Sequence, residues 1–400
     1  VSMAPAGEAA PGEPAPAVRK RPKDRKAQLA LAAAELFCER GYHRVGIDEI
    51  ATAVGISGPA IYRHFPNKYA MLVHATRGLA ATVLDATDAT AAPDLDDLLA
   101  VLARLAVRGR TVAGLYQWEW RYLRDEHRAE FQDVLETLVR RLAVPLLALR
   151  PALTGPEAEA LVRATLSVFG SLGTHRAAIA KSRGEAALRR MAWAVLRGEP
   201  PTPAPVPAGP AGDQAVRVGA RREILLAEAV KLFHRYGYHA VGVEEIGRAA
   251  GINASSVYRY FPGKADILAA AFYRASERVA ETTAVALSGA RDDEDALRRM
   301  ARSYVELTFE RSALVSVYLA ENNNLPDADR HELRKVQRLH VEEWVRLLGR
   351  LRPEVPVAEA RVLVHAALNV VTDLSRWVRF DARTGMDGHL IRLALTVLHA

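Results

Sequence analysis

Apolar residues recur at helical spacing along most of the chain, and no stretch shows the strict alternation of a half-buried strand. Leu29, Ala33, Leu36 and Phe37 mark one amphipathic helix, and Leu225, Ala229, Leu232 and Phe233 mark a second with the same internal spacing. Further on, Leu95, Leu98, Leu99, Leu102 and Leu105 form one stripe, and Phe131, Leu135, Leu138, Val139 and Leu142 form another. Turn signals at Ala91-Ala92-Pro93, Arg150-Pro151 and Thr154-Gly155-Pro156 separate the stripes. The pattern predicts an all-α protein.

Within that pattern one unit occurs twice. Gly41 to Lys68 and Gly237 to Lys264 align without a gap at a constant spacing of 196 residues, which divides the chain into two tandem copies of one domain. Each unit reads as helix, tight turn, helix. Ile50, Ala51 and Val54 share one side of a short helix, Gly55 supplies the left-handed residue after it, and Ser57 is placed to cap the next. That next helix, expected over Gly58 to His64, buries Ile61 and Phe65 and carries Pro59 in its first turn, where a missing N–H costs nothing. The second copy has Gly251 at the break, Asn253 as cap, and Val257 and Phe261 inward. Two short helices joined this way form the helix-turn-helix, whose second helix enters the DNA major groove.

The repeat extends past these units. Arg352-Pro353 answers Arg150-Pro151, and Pro356-Val357-Ala358-Glu359-Ala360 is read as answering Pro156-Glu157-Ala158-Glu159-Ala160. Residues 1–18 read as a disordered arm, 19–68 as the first helix-turn-helix domain, 69–197 as a helical body, and 198–216 as a Pro-rich linker. Residues 217–264 then form the second helix-turn-helix domain, and 265–400 the second body. In a polyproline conformation, at about 3.1 Å per residue, the Pro-rich run Gly198 to Gly212 within it spans on the order of 45 Å.

Charge sharpens the picture. Arg19 to Leu72 holds ten Lys/Arg against five Asp/Glu, and Arg217 to Leu268 holds eight against five; these units account for the whole-chain net charge of +7. Arg19, Lys20, Arg21 and Lys23 precede the first unit, where they can follow a phosphate backbone or enter a minor groove. No apolar run approaches the roughly 20 residues that span a bilayer, and the opening segment lacks a secretory pattern. A cytoplasmic, nucleoid-associated protein is expected. The single cysteine, Cys38, excludes an internal disulfide framework. There is no Cys-x-x-Cys, no His-Glu-x-x-His and no phosphate loop, so no enzyme, cofactor or metal site is expected.

The segments ALAAAELFCERGYHRVGIDEIATAVGISGPAIYRHFPNKYAML and LLAEAVKLFHRYGYHAVGVEEIGRAAGINASSVYRYFPGKADIL resemble the DNA-binding domain of the tetracycline-repressor (TetR) family of bacterial regulators. The resemblance covers about fifty residues of each half. It implies that Tyr62, Tyr258, Lys68 and Lys264 anchor phosphates. Base reading falls to Gly58, Pro59, Ala60 and His64 in one head and to Ala254, Ser255, Ser256 and Tyr260 in the other, flanked by Ser57 and Asn253. Arg63 and Arg259 are either phosphate ligands or partners of Glu49 and Glu245. Where the family has Ser or Thr at the start of the first short helix, this chain has Gly46 and Gly242, which removes a hydroxyl-to-phosphate contact at both sites.

The resemblance further implies a double-stranded DNA partner, regulation by repression, and a small effector held in a helical body. Trp118, Tyr122, Asn322, Trp344, His365 and Asn369 are the candidate effector residues, against the alternative that the aromatics fill the core and the asparagines form a turn. Family members work as two-fold dimers. This chain is therefore expected to be an intramolecular pseudo-dimer, with Leu161 to Arg176 and Glu185 to Leu196 packed on Arg361 to Arg376 and His389 to Leu398, or else a homodimer. The competing function is an interaction or architectural module in which only one head reads DNA.

Overall fold

The computed structural model describes residues 25–88, 94–117, 119–201, 220–381 and 385–400. The N-terminal arm, the basic residues Arg19, Lys20, Arg21 and Lys23, Trp118 and most of the linker lie outside the described residues. Within them the chain is all-α, with no strand. The first half runs α1 (Arg25–Arg40), α2 (Ile47–Ala53), α3 (Gly58–Ile61), α4 (Lys68–Ala86), α5 (Leu95–Arg108), α6 (Gly114–Gln117), α7 (Asp125–Leu149), α8 (Gly155–Gly170) and α9 (Lys181–Arg197). The second runs α10 (Arg221–Tyr236), α11 (Val243–Ala249), α12 (Ala254–Val257), α13 (Lys264–Ser288), α14 (Asp293–Glu310), α15 (Ser312–Glu321), α16 (Asp327–Leu351), α17 (Val357–Trp377) and α18 (Met386–Leu398).

Each head has its own core. Leu29, Ala33, Phe37, Ile50, Ile61 and Phe65 close the first, and Leu225, Ala229, Phe233, Ile246, Val257 and Phe261 close the second. All of these side chains are buried, as their spacing predicts. The bodies behave differently. They share a single core in which Leu161 and Val162 of α8 and Met191 of α9 lie with Leu363, Val364 and Leu390 of α17 and α18. Helix α17 packs on both α8 and α9, and α9 packs on α18, so the expected four-helix seam joins the halves.

The register of the repeat changes between head and body. Helix α13 has 25 residues where α4 has 19, and landmarks beyond it run 202 apart rather than 196. Arg150 donates to the carbonyls of Leu196 and Gly198, and Arg352 donates to those of Leu398 and Ala400, an equivalent clamp at the new spacing. This corrects the expected alignment of Pro356 with Pro156. Thr154 and Pro356 are the equivalent N-caps, and buried Ala158 and Leu161 answer buried Ala360 and Leu363.

At this spacing Ser167 and Asn369 are equivalent, and they meet each other at the seam. The Asn369 amide nitrogen donates to the Ser167 carbonyl at 3.0 Å and to its hydroxyl oxygen at 2.9 Å. Asp373 Oδ2 accepts from both the Ser167 hydroxyl, at 2.7 Å, and Asn369, at 2.9 Å. Two further equivalent pairs cross the seam with different chemistry. His175 stacks on His365 with centroids 4.1 Å apart, whereas Arg163 lies 5.2 Å over the Trp377 ring. Arg190 of α9 also pairs with Glu359 of α17.

Candidate nucleic-acid interface

The turn between the short helices is fixed by backbone chemistry. Gly55 and Gly251 adopt φ of 68° and 73°, a left-handed conformation that favours glycine. Gly46 and Gly242 cap α2 and α11, and the backbone N–H of each donates to Glu49 and Glu245, at 2.7 and 2.8 Å. The acidic residue of the signature therefore serves its own helix. Glu49 also pairs with Arg40 at 2.7 Å, which leaves Arg63 outside that ion pair.

The second short helix is shorter than expected. Regular helix covers only Gly58–Ile61 and Ala254–Val257, and the chain then tightens into turns, with His64 N–H donating to Ile61 O at 2.8 Å and Tyr260 N–H to Val257 O at 2.9 Å. The two caps differ. Asn253 Oδ1 accepts from the Ser256 N–H at 2.8 Å and from the Ser255 hydroxyl at 2.9 Å, while Ser57 occupies the cap position without a side-chain bond. The expectation that Ser57 caps through its hydroxyl is corrected. The Asp48 carboxylate fills the space beside Gly58, and a Cβ on Gly58 would collide with it.

The outward faces remain open. Tyr62 and Tyr258 are 58% and 52% exposed, Pro59, Arg63, Ser255 and Arg259 are exposed, and Ala60, His64, Ala254, Ser256 and Tyr260 are partly so. Lys68 and Lys264 also bond within the fold. Lys68 Nζ donates to the carbonyls of Tyr42 at 2.8 Å and Val45 at 2.9 Å, and Lys264 Nζ to those of Tyr238 and Val241, both at 2.8 Å. Each ammonium also sits over a tyrosine ring, 4.5 Å from Tyr42 and 4.3 Å from Tyr238. Burial lowers both lysine pKa values. Two of three donors are taken up inside the fold, so these lysines clamp the loop before α2 and α11, and one donor of each ammonium is left for the phosphate contact expected of them.

The heads touch each other. The rings of His43 and His239, equivalent at spacing 196, lie 4.0 Å apart by centroid. Burial, and next the facing His239, lowers the His43 pKa to about 4. The 3₁₀ turn Asn322–Asn324 enters this joint from the second half. Asn323 packs so closely on Gly41 that a Cβ there would stand 2.8 Å from Asn323 Cβ, and Asn324 bonds His239 at 2.9 Å. Arg44 pairs with Asp327 at 2.9 Å, tying the first head to α16 of the second half. Sequence reasoning missed this joint. Its one signal was the histidine repeated at 43 and 239, and nothing in the spacing shows that two equivalent turns will meet.

Of the candidate effector residues, two line a cavity of about 1010 Å³ in the second body: His365 and Asn369. The others are placed elsewhere. Asn322 belongs to the joint just described, and Tyr122 stacks on Tyr42 at 5.5 Å beside the first head. Trp344 is 2% exposed, and its indole N–H donates to His340 at 3.1 Å, so it is core. Trp118 lies outside the described residues. Tyr304 and His340, absent from the expected set, line the cavity; each lies in an apolar stripe, where an interior polar group reads as packing. Among the described residues no group of three or more His, Cys, Asp or Glu could hold a metal ion, and no helix is long and apolar enough to cross a membrane.

Residues 30–75 and again 225–271 match the model for bacterial regulatory proteins of the tetR family, and residues 290–388 match a tetracyclin repressor-like C-terminal domain. Among curated proteins, the HTH-type transcriptional activator FasR of Mycolicibacterium smegmatis is 52% identical over 48 residues, 12% of this chain and 22% of that protein. The match therefore spans about a fifth of the relative's length. Among solved structures, a TetR-family regulator from Bordetella parapertussis 12822 aligns with a TM-score of 0.40 at 19% identity, over 44% of this chain and 95% of its own. PfmR of Thermus thermophilus aligns with a TM-score of 0.40 at 24% identity, over 46% and 98%. The ketosteroid transcriptional regulator KstR2 of Mycobacterium tuberculosis aligns with a TM-score of 0.40 at 22% identity, over 46% and 96%.

Proposed function

We propose, for a chain that belongs to the tetR family of DNA-binding transcriptional regulators and carries the family's DNA-binding unit twice, that its two heads read the two half-sites of one operator. The observation that carries this reading is the pairing of two exposed reading faces, around Tyr62 and Tyr258, with a buried seam between the bodies. Single-headed relatives obtain two heads by pairing two chains. Here one polypeptide supplies both, as an intramolecular pseudo-dimer.

The reading faces differ in sequence, SGPAIYRH against NASSVYRY, so the two half-sites differ and the operator is not a perfect inverted repeat. Gly58, Pro59 and Ala60 offer small apolar groups to thymine methyls, and Ser255 and Ser256 offer hydroxyls that bond several bases. Exposed Arg63 and Arg259 join the phosphate set with the two tyrosines, beside the one donor that each lysine clamp leaves. Selection of bound duplexes from a random pool at fixed salt tests this. Two unlike half-sites about one turn apart support the reading, and a single half-site supports the architectural alternative.

Effector release has a physical route. Helix α15 lines the second-body cavity through Leu314 and Tyr318, and it runs directly into Glu321 and the asparagine turn that contact both heads. A molecule that shifts α15 changes how far apart the heads are held, and about 1–3 kcal/mol of coupling suffices for release. Repression by occupying a promoter is the expected sign, while the name of the FasR relative carries the opposite one. A reporter with the selected operator placed over the promoter or upstream of it separates them: loss of expression supports repression and gain supports activation.

A further inference from the structure

The cavity of the second body has a chemistry of its own, and the identity of its occupant rests on reading that cavity as an effector site. At about 1010 Å³ it matches the upper end of ligand sites, about 300–1,000 Å³. Its walls come from α13 to α17, with Thr174 added from the first half. Most of its interior is aliphatic, including Val279, Leu287, Leu314 and Leu368.

The polar groups inside divide into committed and open ones. The Asn369 amide nitrogen is spent on Ser167 and Asp373, His340 accepts from Trp344, and the Tyr318 side chain bonds Ser276. The Tyr304 hydroxyl and the His365 ring form no hydrogen bond among the described residues, and both retain accessible surface deep in the body. A buried polar group without a partner is costly, so an occupant that bonds these two groups is favoured over a purely apolar one.

Charge narrows the occupant further. Burial lowers the pKa of His365 and of His340 to about 4 and raises that of Tyr304, so all three are neutral at pH 7. Of the arginines at the border, Arg274 pairs with Glu223 and Arg278 with Glu281. Arg311 is exposed at the edge. Among the described lining residues the interior holds no cation to neutralise a buried anion, and a buried unpaired charge is strongly disfavoured.

We propose that this cavity takes one mainly apolar, uncharged molecule bearing a hydroxyl or carbonyl oxygen, held by Tyr304 Oη and a ring nitrogen of His365, with any ionised group left at the mouth near Arg311. The test uses Nile red, an uncharged dye with a carbonyl, titrated onto the full chain and displaced by 1-dodecanol or by dodecanoate at pH 7.5. One dye should bind per chain, and the alcohol should displace it at a concentration about tenfold below that of the acid. Because an alcohol also partitions better into any apolar surface, Tyr304→Phe and His365→Phe are the discriminating variants. Each keeps a ring in place and should weaken dodecanol binding about five- to tenfold, with the melting temperature reporting that the fold is intact.

Equal displacement by the acid, no dye binding, or affinity untouched by both substitutions overturns the assignment. Anisotropy of labelled operator, read in the same samples, keeps the two readings separable. Sensitivity to Tyr304→Phe without DNA release supports the ligand class and removes the effector role. DNA release that ignores both variants overturns the ligand class and leaves the effector role standing.

Discussion

Lys68 and Lys264 hold equivalent carbonyls of their own loops, Gly55 and Gly251 take the same left-handed turn, and Tyr62 and Tyr258 project to nearly the same degree. The bodies do not match in this way. At the seam Ser167 faces Asn369, and Arg163 stands where the second half has His365. In a two-fold homodimer the residues at the axis meet their own copies. Here they meet unlike partners that complement one another, as the Asn369–Ser167–Asp373 network does. The heads share one geometry, as the proposed reading of two half-sites by both of them requires, while the bodies meet through unlike residues.

Acid should expose this difference most strongly. His340 and His365 in the second body stay neutral in the fold with pKa values of about 4, against the ordinary 6.5. Unfolding frees them to bind protons, so stability is full above pH 6.5 and falls as pH drops toward 4. Between pH 7 and 5 each should cost about 2 kcal/mol. The first body has such a histidine in His175, held well below the ordinary value by burial, against three in the second once His389 is included; where His340 and His365 stand it has buried Leu138, and Arg163 paired with Glu136. Hydrogen exchange at the two pH values should show the second body opening first; equal loss in both bodies would break the comparison.

Next in size is the lysine clamp. Lys68→Met and Lys264→Met each leave two carbonyls without a donor, and each should destabilise its own head by about 1–3 kcal/mol, discounted for partial exposure. Near-equal losses in denaturant titrations support the shared geometry. On DNA, Tyr62→Ala and Tyr258→Ala should each weaken operator binding about tenfold, and Arg63→Ala should flatten the salt slope by about one unit. A silent Tyr258→Ala would leave only one working head. The smallest effect separates the caps: Asn253→Ala should cost about 1 kcal/mol, and Ser57→Ala less than about 0.5 kcal/mol. Thermal melts of the two variants check the pair.

The heads were legible because their signals are local. A glycine at the break, apolar residues at helical spacing and a fixed repeat determine a three-helix core with little reference to the rest of the chain. The seam was expected by another route, from the resemblance to a family of two-fold dimers rather than from a local signal. What escaped depends on distance in space. Nothing near Lys68 in sequence shows that Tyr42 and Val45 present their carbonyls to it. The asparagine turn at 322–324 reads as a loop until the first head is seen to rest on it, and the cavity exists only where five helices converge. The misaligned prolines 156 and 356 failed differently: a short, similar motif drew the register two residues off, while the buried pattern of the helices fixed it.

The pairing of two reading heads in one chain is tested most directly by counting chains on DNA. With the minimal selected duplex at saturating protein, sedimentation or native mass spectrometry should find one 400-residue chain per duplex, protected over both half-sites. Two chains on that duplex, with one head of each engaged, would contradict the account.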